Sequence, residues 1–269
     1  MKAYITLISS ESYLEGVIGL NKSLLRVGSA YPLYCMVSSN MGADSVKLLE
    51  DNGINTIVLT RKAYLSDANN ADKYRNWDYT FDKLFMWGQT RFEKIVFIDA
   101  DMIVVRNIDH LFDAPAFSAS KAGIQYPGCE WKTYLNSGLI VLTPDLQIMN
   151  SLLELASTLV PGMRSEGQPV GDQDIINAYV PDWPHRDDLT LDDGYNLFAQ
   201  YIQYYRRHLG YTLSAKGKGK GIYVIHYVGL TKPWMVKGLR QYLKLARKNF
   251  PNVTYLWSVY YYNKMRKRP

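Results

Sequence analysis

Two aspartates, Asp99 and Asp101, interrupt the apolar run of residues 95–105 and constrain this chain more than any other feature. Residues 95–98 are Ile-Val-Phe-Ile and residues 102–105 are Met-Ile-Val-Val. Burying two carboxylates in such a run is costly unless a counter-charge neutralises them. In an open α/β sheet, ligands bind beyond the carboxyl ends of the strands, where these acids would lie. They could share a hard divalent ion that bridges a diphosphate, and a strand-end turn with solvated acids is the alternative.

Strand and helix patterns alternate along the chain, most clearly in its first half. Strands are predicted at residues 3–8, 33–37, 56–59, 95–98 and 139–142, and helices at residues 12–28, 43–52, from about 80, 148–160 and after 171. This alternation predicts an α/β fold with a mostly parallel central sheet flanked by helices, in which the run 95–98 is central. Because no linker or repeat interrupts the pattern, residues 1–250 are expected to form one domain, followed by a tail at residues 251–269.

Three local features carry sharper expectations. Ser12 and Glu15 have the spacing of a capping box that would begin the first helix. The helix after residue 148 should stop before Pro161 and Gly162. Residues 222–228 alternate as a strand, which would place Ile222, Val224, His226 and Val228 on one face.

His226 is the second chemical clue. A lone histidine on a strand is often a hydrogen-bonded core residue, and that alternative stays open. Here, however, a loop follows in which Gly229 permits close backbone approach and Lys232 can neutralise phosphate. The combination favours a third metal ligand beside a phosphate site. The glycine-rich dinucleotide and P-loop fingerprints are absent, so a nucleotide would have to be held by metal and loop.

The positive net charge of the chain favours binding to an acidic partner. It has 31 Lys and Arg against 25 Asp and Glu, a net charge of +6, with much of the excess in its last third. No zinc-finger, helix-turn-helix or RNA-recognition signature accompanies it, so we expect no nucleic-acid partner. Only two cysteines, Cys35 and Cys129, and a first strand that begins at residue 3 favour a cytoplasmic location, with membrane association as the alternative.

Several motifs in one order resemble glycosyltransferase family 8, the family of glycogenin, galactinol synthase and bacterial lipopolysaccharide galactosyltransferases. The similar segments are residues 6–13, 16–24, 82–84 with Trp87, 97–101, 107–113, 136–138, 171–173, 224–229 and 232–234. They cover most of residues 3–234. The resemblance implies a GT-A, Rossmann-like fold that transfers glucose or galactose from a UDP-sugar with retention of configuration, using Mn²⁺ or alternatively Mg²⁺.

The same resemblance assigns roles to individual residues. Asp99, Asp101 and His226 match the family's metal ligands, and Asp172 and Gln173 its catalytic positions. The expected nucleotide-sugar-binding residues are Leu7, Ser9, Ser10, Tyr13, Lys83, Ala100, Asn136, Ser137, Gly229 and Lys232. Which of Asp172 and Gln173 stabilises the sugar carbocation stays open, and Asp172 as a helix N-cap is the structural alternative. Where glycogenin-like proteins often place another acid, this chain has Gln168-Pro169-Val170, so its sugar selectivity is expected to differ.

The acceptor is not defined by these motifs. A small polyol such as inositol, a protein tyrosine and a lipid-linked or cell-surface glycan are the competing classes. Counting from Tyr195-Asn196, Gln203 stands where glycogenin carries its acceptor tyrosine, which argues against self-glucosylation. A sugar-nucleotide-binding protein without activity is the non-enzyme alternative, and a homodimer is left open.

The last segment, residues 255–269, combines interfacial aromatic residues with four cationic side chains. This pattern is typical of a peripheral anchor on an anionic membrane. A final helix packed on the domain, with a solvated basic end, is the alternative.

Overall fold

A computed structural model describes residues 1–63, 72–122, 133–214 and 219–266, with the backbone alone at residues 72–78. Within these ranges the strands are β1 (Lys2–Ile8), β2 (Leu33–Val37), β3 (Asn55–Val58), β4 (Lys94–Ile98), β5 (Met102–Val104), β6 (Ala119–Lys121), β7 (Leu135–Leu142), β8 (Leu197–Phe198), β9 (Tyr211–Thr212), β10 (Lys220–Gly221) and β11 (Val224–His226). The helices are α1 (Leu14–Arg26), α2 (Ala43–Asp51), α3 (Leu146–Ser165), α4 (Asp172–Tyr179), α5 (Ile202–His208), α6 (Leu239–Asn249) and α7 (Val253–Arg266). Turns of 3-10 helix cover residues 11–13, 72–88, 109–113, 183–185, 187–189, 193–195, 199–201 and 233–235.

The central sheet has six strands in the order β3-β2-β1-β4-β7-β6. The first four strands are parallel, whereas β7 runs antiparallel to β4 and β6 antiparallel to β7. The strand order reverses between β1 and β4, and ligands of open α/β sheets bind at such a switch point. The predicted α/β fold with a mainly parallel sheet is confirmed, and β4 is central because it pairs on both sides.

Two apolar clusters cover the two faces of this sheet. Ile95 and Phe97 face the first cluster, together with α3, α4 and the 3-10 segment 72–88. Val96 and Ile98 face the second, which includes residues of α1 and α2. The alternation along β4 therefore buries both faces, as its continuous apolar sequence predicted.

A smaller sheet in the order β5-β11-β8 lies beyond the end of β4. It packs in a third apolar cluster with residues of α5, α6 and α7. From α7, Val259, Tyr262 and Met265 are buried in this cluster, and the Tyr262 hydroxyl donates to the Glu15 carbonyl at 2.7 Å. Residues 253–266 thus form a helix packed on the domain, the arrangement that the sequence offered as the alternative to a membrane anchor.

The structure corrects three sequence expectations. Ser10, not Ser12, caps the 3-10 turn at residues 11–13, and α1 begins only at Leu14. The helix α3 continues through Pro161, which the sequence placed beyond its end. Pro161 lies on the exposed face, so the missing hydrogen bond faces solvent, while Val160 anchors that turn in the core.

The third correction concerns residues 222–228. Only Val224–His226 form a strand, and Ile222 and Val224 belong to different apolar clusters. The reason is that the Ile222 amide donates to Thr212 while the Tyr223 amide donates to Gly194. These two bonds turn the backbone before β11 begins. Cys35 is buried in β2, and Cys129 lies outside the described residues.

Gly19 allows α7 to pack closely on α1. A Cβ atom at Gly19 would lie 2.3 Å from the Tyr262 hydroxyl oxygen. We therefore expect Gly19→Ala to lower the free energy of unfolding by about 1–3 kcal/mol, the usual cost of overpacking a core. Gly162→Ala is the matched control, because that helical glycine has open space around its Cβ position. The control should stabilise by up to about 1 kcal/mol through helix propensity. Urea denaturation measures the free energy of unfolding of both variants. An equal change in the two would show that the close contact between residue 19 and Tyr262 does not restrict the side chain at position 19.

Candidate active site

The candidate site lies at the carboxyl end of β4, where the strand order reverses. Asp99 and Asp101 follow directly after Ile98, and the Asp99 amide donates to the Gly138 carbonyl at 2.8 Å. Leu7, Ser9 and Ser10 lie at the same edge of the sheet because β1 is the parallel neighbour of β4. The order of the strands thus brings the predicted residues at the ends of β1 and β4 to the same edge of the sheet.

Asp99, Asp101 and His226 form one cluster whose candidate ligand atoms all lie within 4.8 Å of one another. The His226 Nε2 atom is 3.2 Å from Asp101 Oδ1 and 4.0 Å from Asp99 Oδ2. The antiparallel pairing of β11 with β5 produces this arrangement, since His226 pairs with Met102, the residue after Asp101. The sequence-based prediction that these three residues converge agrees with the geometry.

Asn196 orients the His226 ring. Its Oδ1 atom lies 2.8 Å from His226 Nδ1, and its Nδ2 donates to Asn136 Oδ1 at 2.9 Å. Because Asn196 Oδ1 can only accept, Nδ1 carries a proton, and Nε2 is the ring nitrogen that faces the carboxylates and could ligate a cation. Two carboxylates and such an imidazole fit a divalent cation, and orientation of a ligating histidine through its other nitrogen is the usual second contact of such sites.

Gly138 allows β7 to pass close to this cluster. A Cβ atom at Gly138 would lie 3.0 Å from Asp99 Oδ2 and 3.0 Å from His226 Cε1. A larger residue would therefore push against two of the three candidate ligands. The Asn-Ser-Gly motif at residues 136–138 needs its glycine for this approach.

Lys83 links the cluster to the start of α4. Its Nζ is 3.0 Å from Asp99 Oδ1 and 2.9 Å from Asp172 Oδ2. The Ser137 hydroxyl donates to the same Asp172 oxygen at 2.7 Å, and the Ser137 amide donates to Gln173 Oε1 at 3.2 Å. Lys83 and Asp172 are both buried, so this lysine is an internal counter-charge and not a solvated helix cation.

Lys232 holds the other acid. Its ammonium donates to Asp101 Oδ2 and, at 2.8 Å, to the Tyr227 carbonyl, and it lies 5.4 Å from the centre of the Tyr13 ring. Tyr13 in turn packs edge-to-face on Trp234. The loop that follows β11 therefore closes one wall of the site with a buried cation and two aromatic rings.

The charges of the cluster shift one another. Burial opposes ionisation of Asp101, but His226 and Lys232 outweigh it and lower the pKa of that carboxyl. Burial raises the pKa of Asp99. The Lys83 ammonium acts to lower this pKa and the Asp101 carboxylate to raise it, and the net shift is upward. Burial alone would lower the pKa of Lys83, but Asp172 and Asp99 raise it. Asp101 is therefore the more firmly ionised of the two acids.

Direct contacts join most of the residues that the sequence singled out. These are Tyr13, Lys83, Asp99, Asp101, Asn136, Ser137, Asp172, Gln173, His226 and Lys232.

The other predicted residues stand apart from this network. Leu7, Ser9 and Ser10 line the neighbouring strand end, with Ser10 capping the next turn. The Ala100 carbonyl is 2.4 Å from where a Gly16 Cβ would be, so Ala100 also packs the loop on α1. Gly229 is exposed in the loop before Lys232, with a positive φ of 92°. Asn196 was missed as a functional residue, because only its contact with His226 distinguishes it.

Comparison with known proteins identifies the family. The family model described as glycosyl transferase family 8 matches residues 4–238. This chain belongs to glycosyl transferase family 8. The resemblance inferred from the motifs is thereby confirmed.

Glycogenin-1 is among the curated relatives. The mouse protein is 30% identical over 237 residues, which is 87% of this chain and 65% of the relative; the Caenorhabditis elegans protein is 28% identical over 243 residues, 87% of this chain and 51% of the relative. Inositol phosphorylceramide glucuronosyltransferase 1 of Arabidopsis thaliana is 31% identical over 183 residues, 68% of this chain and 31% of its own length. The chain thus spans between about a third and two thirds of these relatives.

Solved structures support the fold. The galactosyltransferase LgtC, crystallised with donor and acceptor sugar analogues, superposes with a TM-score of 0.66 at 14% identity, covering 98% of this chain and 95% of LgtC. The glycosyltransferase GlyE of Streptococcus pneumoniae gives a TM-score of 0.56 at 17% identity, covering 100% of this chain and 66% of GlyE. The family 8 chain therefore has the GT-A fold that the resemblance implied.

The contact between Asn196 and His226 can be tested by metal binding alone. We expect Asn196→Ala to weaken Mn²⁺ affinity by about 10–100-fold, because the imidazole loses the partner that fixes its tautomer and orientation. Asn196→Asp keeps an acceptor for Nδ1–H and should retain most of the affinity. Titration calorimetry with Mn²⁺ measures both. Equal weakening by the two substitutions would mean that Asn196 does not act through His226.

Proposed function

We propose that this chain is a retaining, Mn²⁺-dependent hexosyltransferase that moves glucose or galactose from a UDP-sugar to a hydroxyl acceptor. The observation that supports it best is the cluster of half-buried Asp99 with buried Asp101 and His226, beside the Lys83–Asp172 ion pair. In a family 8 chain with the GT-A fold, this combination offers a cation site and a sugar site next to each other. Mn²⁺ suits the mixed carboxylate and imidazole donor set.

The leaving diphosphate would lie between the cluster and the loop after β11. A bound divalent ion would supply positive charge to the phosphates as the glycosidic bond breaks. Lys232, already held in place by Asp101, adds a second cation, and the Gly229 amide adds a donor at the exposed turn. Charges fixed before reaction stabilise the leaving group without reorganisation of the site.

The hexose would lie over the start of α4. Asp172 Oδ2 is engaged by both Lys83 and Ser137, so we assign Asp172 to positioning Lys83 and the sugar. Gln173 is less buried, and its side-chain amide is held by the Ser137 amide. We therefore favour Gln173 as the group beneath the anomeric carbon. Asn136 and Ser137 would contact the sugar hydroxyls.

The uridine would lie along the end of β1. Tyr13 offers a ring for stacking on the base, and Leu7, Ser9, Ser10 and Ala100 line the strand ends around it. The partly buried hydroxyl of Tyr13 has a raised pKa because of burial, so the ring stays neutral. A neutral ring can stack without repelling the diphosphate.

A small polyol such as inositol or a glycan is the proposed acceptor. Glycogenin-1 is a relative, but Gln203 stands where the resemblance to glycogenin, counted from Tyr195-Asn196, would place an acceptor tyrosine. The Gln203 side chain accepts from the Thr254 amide of α7 at 3.4 Å, which gives it a packing role in this chain. We therefore rank transfer to a separate acceptor above self-glucosylation.

The metal dependence is tested by replacing Asp101. Asp101→Asn keeps the shape of the side chain but removes the charge that would hold the ion, so we expect UDP release to fall at least about 100-fold with the fold intact. Asp51→Asn, an equivalent change on the exposed face of α2, should leave activity unchanged. UDP release with Mn²⁺, and Mn²⁺ binding followed by electron paramagnetic resonance, measure the effect. A variant that keeps most of its Mn²⁺-dependent activity would remove Asp101 from the site.

The stereochemistry is tested on the product. A panel of UDP-glucose, UDP-galactose and UDP-glucuronate, each with and without inositol, defines donor and acceptor through UDP release. We expect every transfer product to keep the α configuration of the donor, since the motifs resemble a retaining family. Proton NMR of the product then shows the small anomeric coupling. A β-linked product would overturn the assignment.

A further inference from the structure

The helix α6 presents a row of apolar side chains to the outside of the protein. Leu239 is 76% exposed, Leu243 is 53% exposed and Phe250, just after the helix, is 77% exposed. Their spacing of four and seven residues places them on one side of the helix. We propose that this side of α6, with its flanking basic residues, binds the surface of an anionic lipid bilayer.

The opposite side of α6 holds the helix on the domain. Leu245 is buried, and the Tyr242 hydroxyl accepts from Asn263 of α7 at 3.2 Å. The Tyr242 ring also lies 6.5 Å from the ring of Tyr260. Since this inner side satisfies the packing of α6, the outer apolar row is not needed for its attachment. It is available to a partner.

Positive charge borders the apolar row. Arg240, Lys244, Arg247 and Lys248 project from the remaining arc of the helix, all four are exposed, and none has an acidic partner among the described residues. Residues 194–269 contain 15 Lys and Arg and no Asp or Glu, so all 25 acidic residues of the chain lie before residue 194. A helix with an apolar stripe beside an arc of basic residues lies in the headgroup region of anionic membranes.

The chemistry favours lipid over the other occupants. A nucleic acid would be attracted by the basic residues but would leave the apolar row in water. A second copy of this face would bring two strongly cationic surfaces together. An anionic bilayer satisfies both features at once, because its headgroups carry the opposite charge and its acyl boundary accepts leucine and phenylalanine. Among the described residues, no helix has the length and apolarity to span a membrane.

The apolar row is connected to the active site. Leu230 is 92% exposed and lies two residues before Lys232, which binds Asp101. Met235 is exposed in the 3-10 turn that leads from this loop to α6. If the proposed transferase function holds, docking through α6 would bring the site next to the bilayer and favour an acceptor carried by a lipid. The binding itself does not depend on that function.

The membrane contact proposed for α6 is separate from an anchor formed by residues 255–269. Because α7 buries Val259, Tyr262 and Met265, deleting that segment would open the core and would not test membrane binding. Substitutions on the exposed side of α6 avoid this problem.

Flotation with vesicles, in the absence of any substrate, tests the proposal. We expect the full chain to float with phosphatidylcholine vesicles that contain phosphatidylserine at about 0.1 M salt, and to bind at least about tenfold less at about 1 M salt or without phosphatidylserine. Leu239→Ser/Leu243→Ser/Phe250→Ser should lose at least tenfold in binding. Arg240→Gln/Lys244→Gln/Arg247→Gln/Lys248→Gln should do the same.

The matched control replaces three exposed leucines elsewhere, Leu25→Ser/Leu48→Ser/Leu146→Ser, and should bind like the unmodified chain. Circular dichroism confirms that each variant is folded. The proposal is overturned if the unmodified chain fails to bind anionic vesicles at low salt, or if the control loses as much binding as the α6 variants. It is also overturned if light scattering shows that the α6 face forms a dimer that the serine variant abolishes while vesicle binding is unchanged.

Discussion

The buried charges around Asp99 and Asp101 are the constraint on which the rest of this molecule depends. Three carboxylates, those of Asp99, Asp101 and Asp172, meet the two ammonium groups of Lys83 and Lys232 in a buried region. A buried cluster of this kind avoids destabilising the fold only if every charged side chain has an oppositely charged or hydrogen-bonding partner in good geometry. The carboxylates outnumber the ammonium groups by one, and His226 is the further side chain that faces them. A divalent cation held by these residues would add the positive charge that the two ammonium groups do not supply.

Four separate segments have to meet for this compensation to occur. Lys83 comes from the 3-10 segment 72–88, the two acids from the end of β4, Asp172 from the first turn of α4, and His226 with Lys232 from the region of β11. The antiparallel β7 passes between them, and Gly138 lets it come within van der Waals contact of Asp99 and His226. The topology, with its reversal between β1 and β4, brings residues far apart in sequence to one edge. Packing errors in any one segment would leave a charge unpaired.

Local sequence patterns were sufficient to predict the structure where a single strand or helix determines it. The strands β1, β2 and β4 and the helix α2 follow from apolar periodicity, and the acids after β4 follow from their position at a strand end. Sequence patterns gave wrong predictions where contacts between distant parts of the chain determine the local structure. Pro161 lies within α3 because its turn is held by Val160, and the alternation of residues 222–228 is broken by hydrogen bonds to Thr212 and Gly194. Asn196 could not be recognised in advance, since no periodicity marks a side chain whose role is to accept one proton from His226.

Acidic residues are confined to the part of the chain before residue 194, and this gives one face of the domain a positive charge. The acidic residues are all in the part that builds the sheet, and the acid-free remainder builds α5, α6, α7 and the loop that carries Lys232. Stability alone does not require this division, because exposed charges of either sign solvate a surface equally well and exposed pairs add little. A cationic face that also exposes Leu239 and Phe250 would lower solubility unless something covers it. The loop that carries Lys232, the partner of Asp101, leads through the 3-10 turn at residues 233–235 into that face, so a ligand that covers α6 lies next in the chain to a wall of the site.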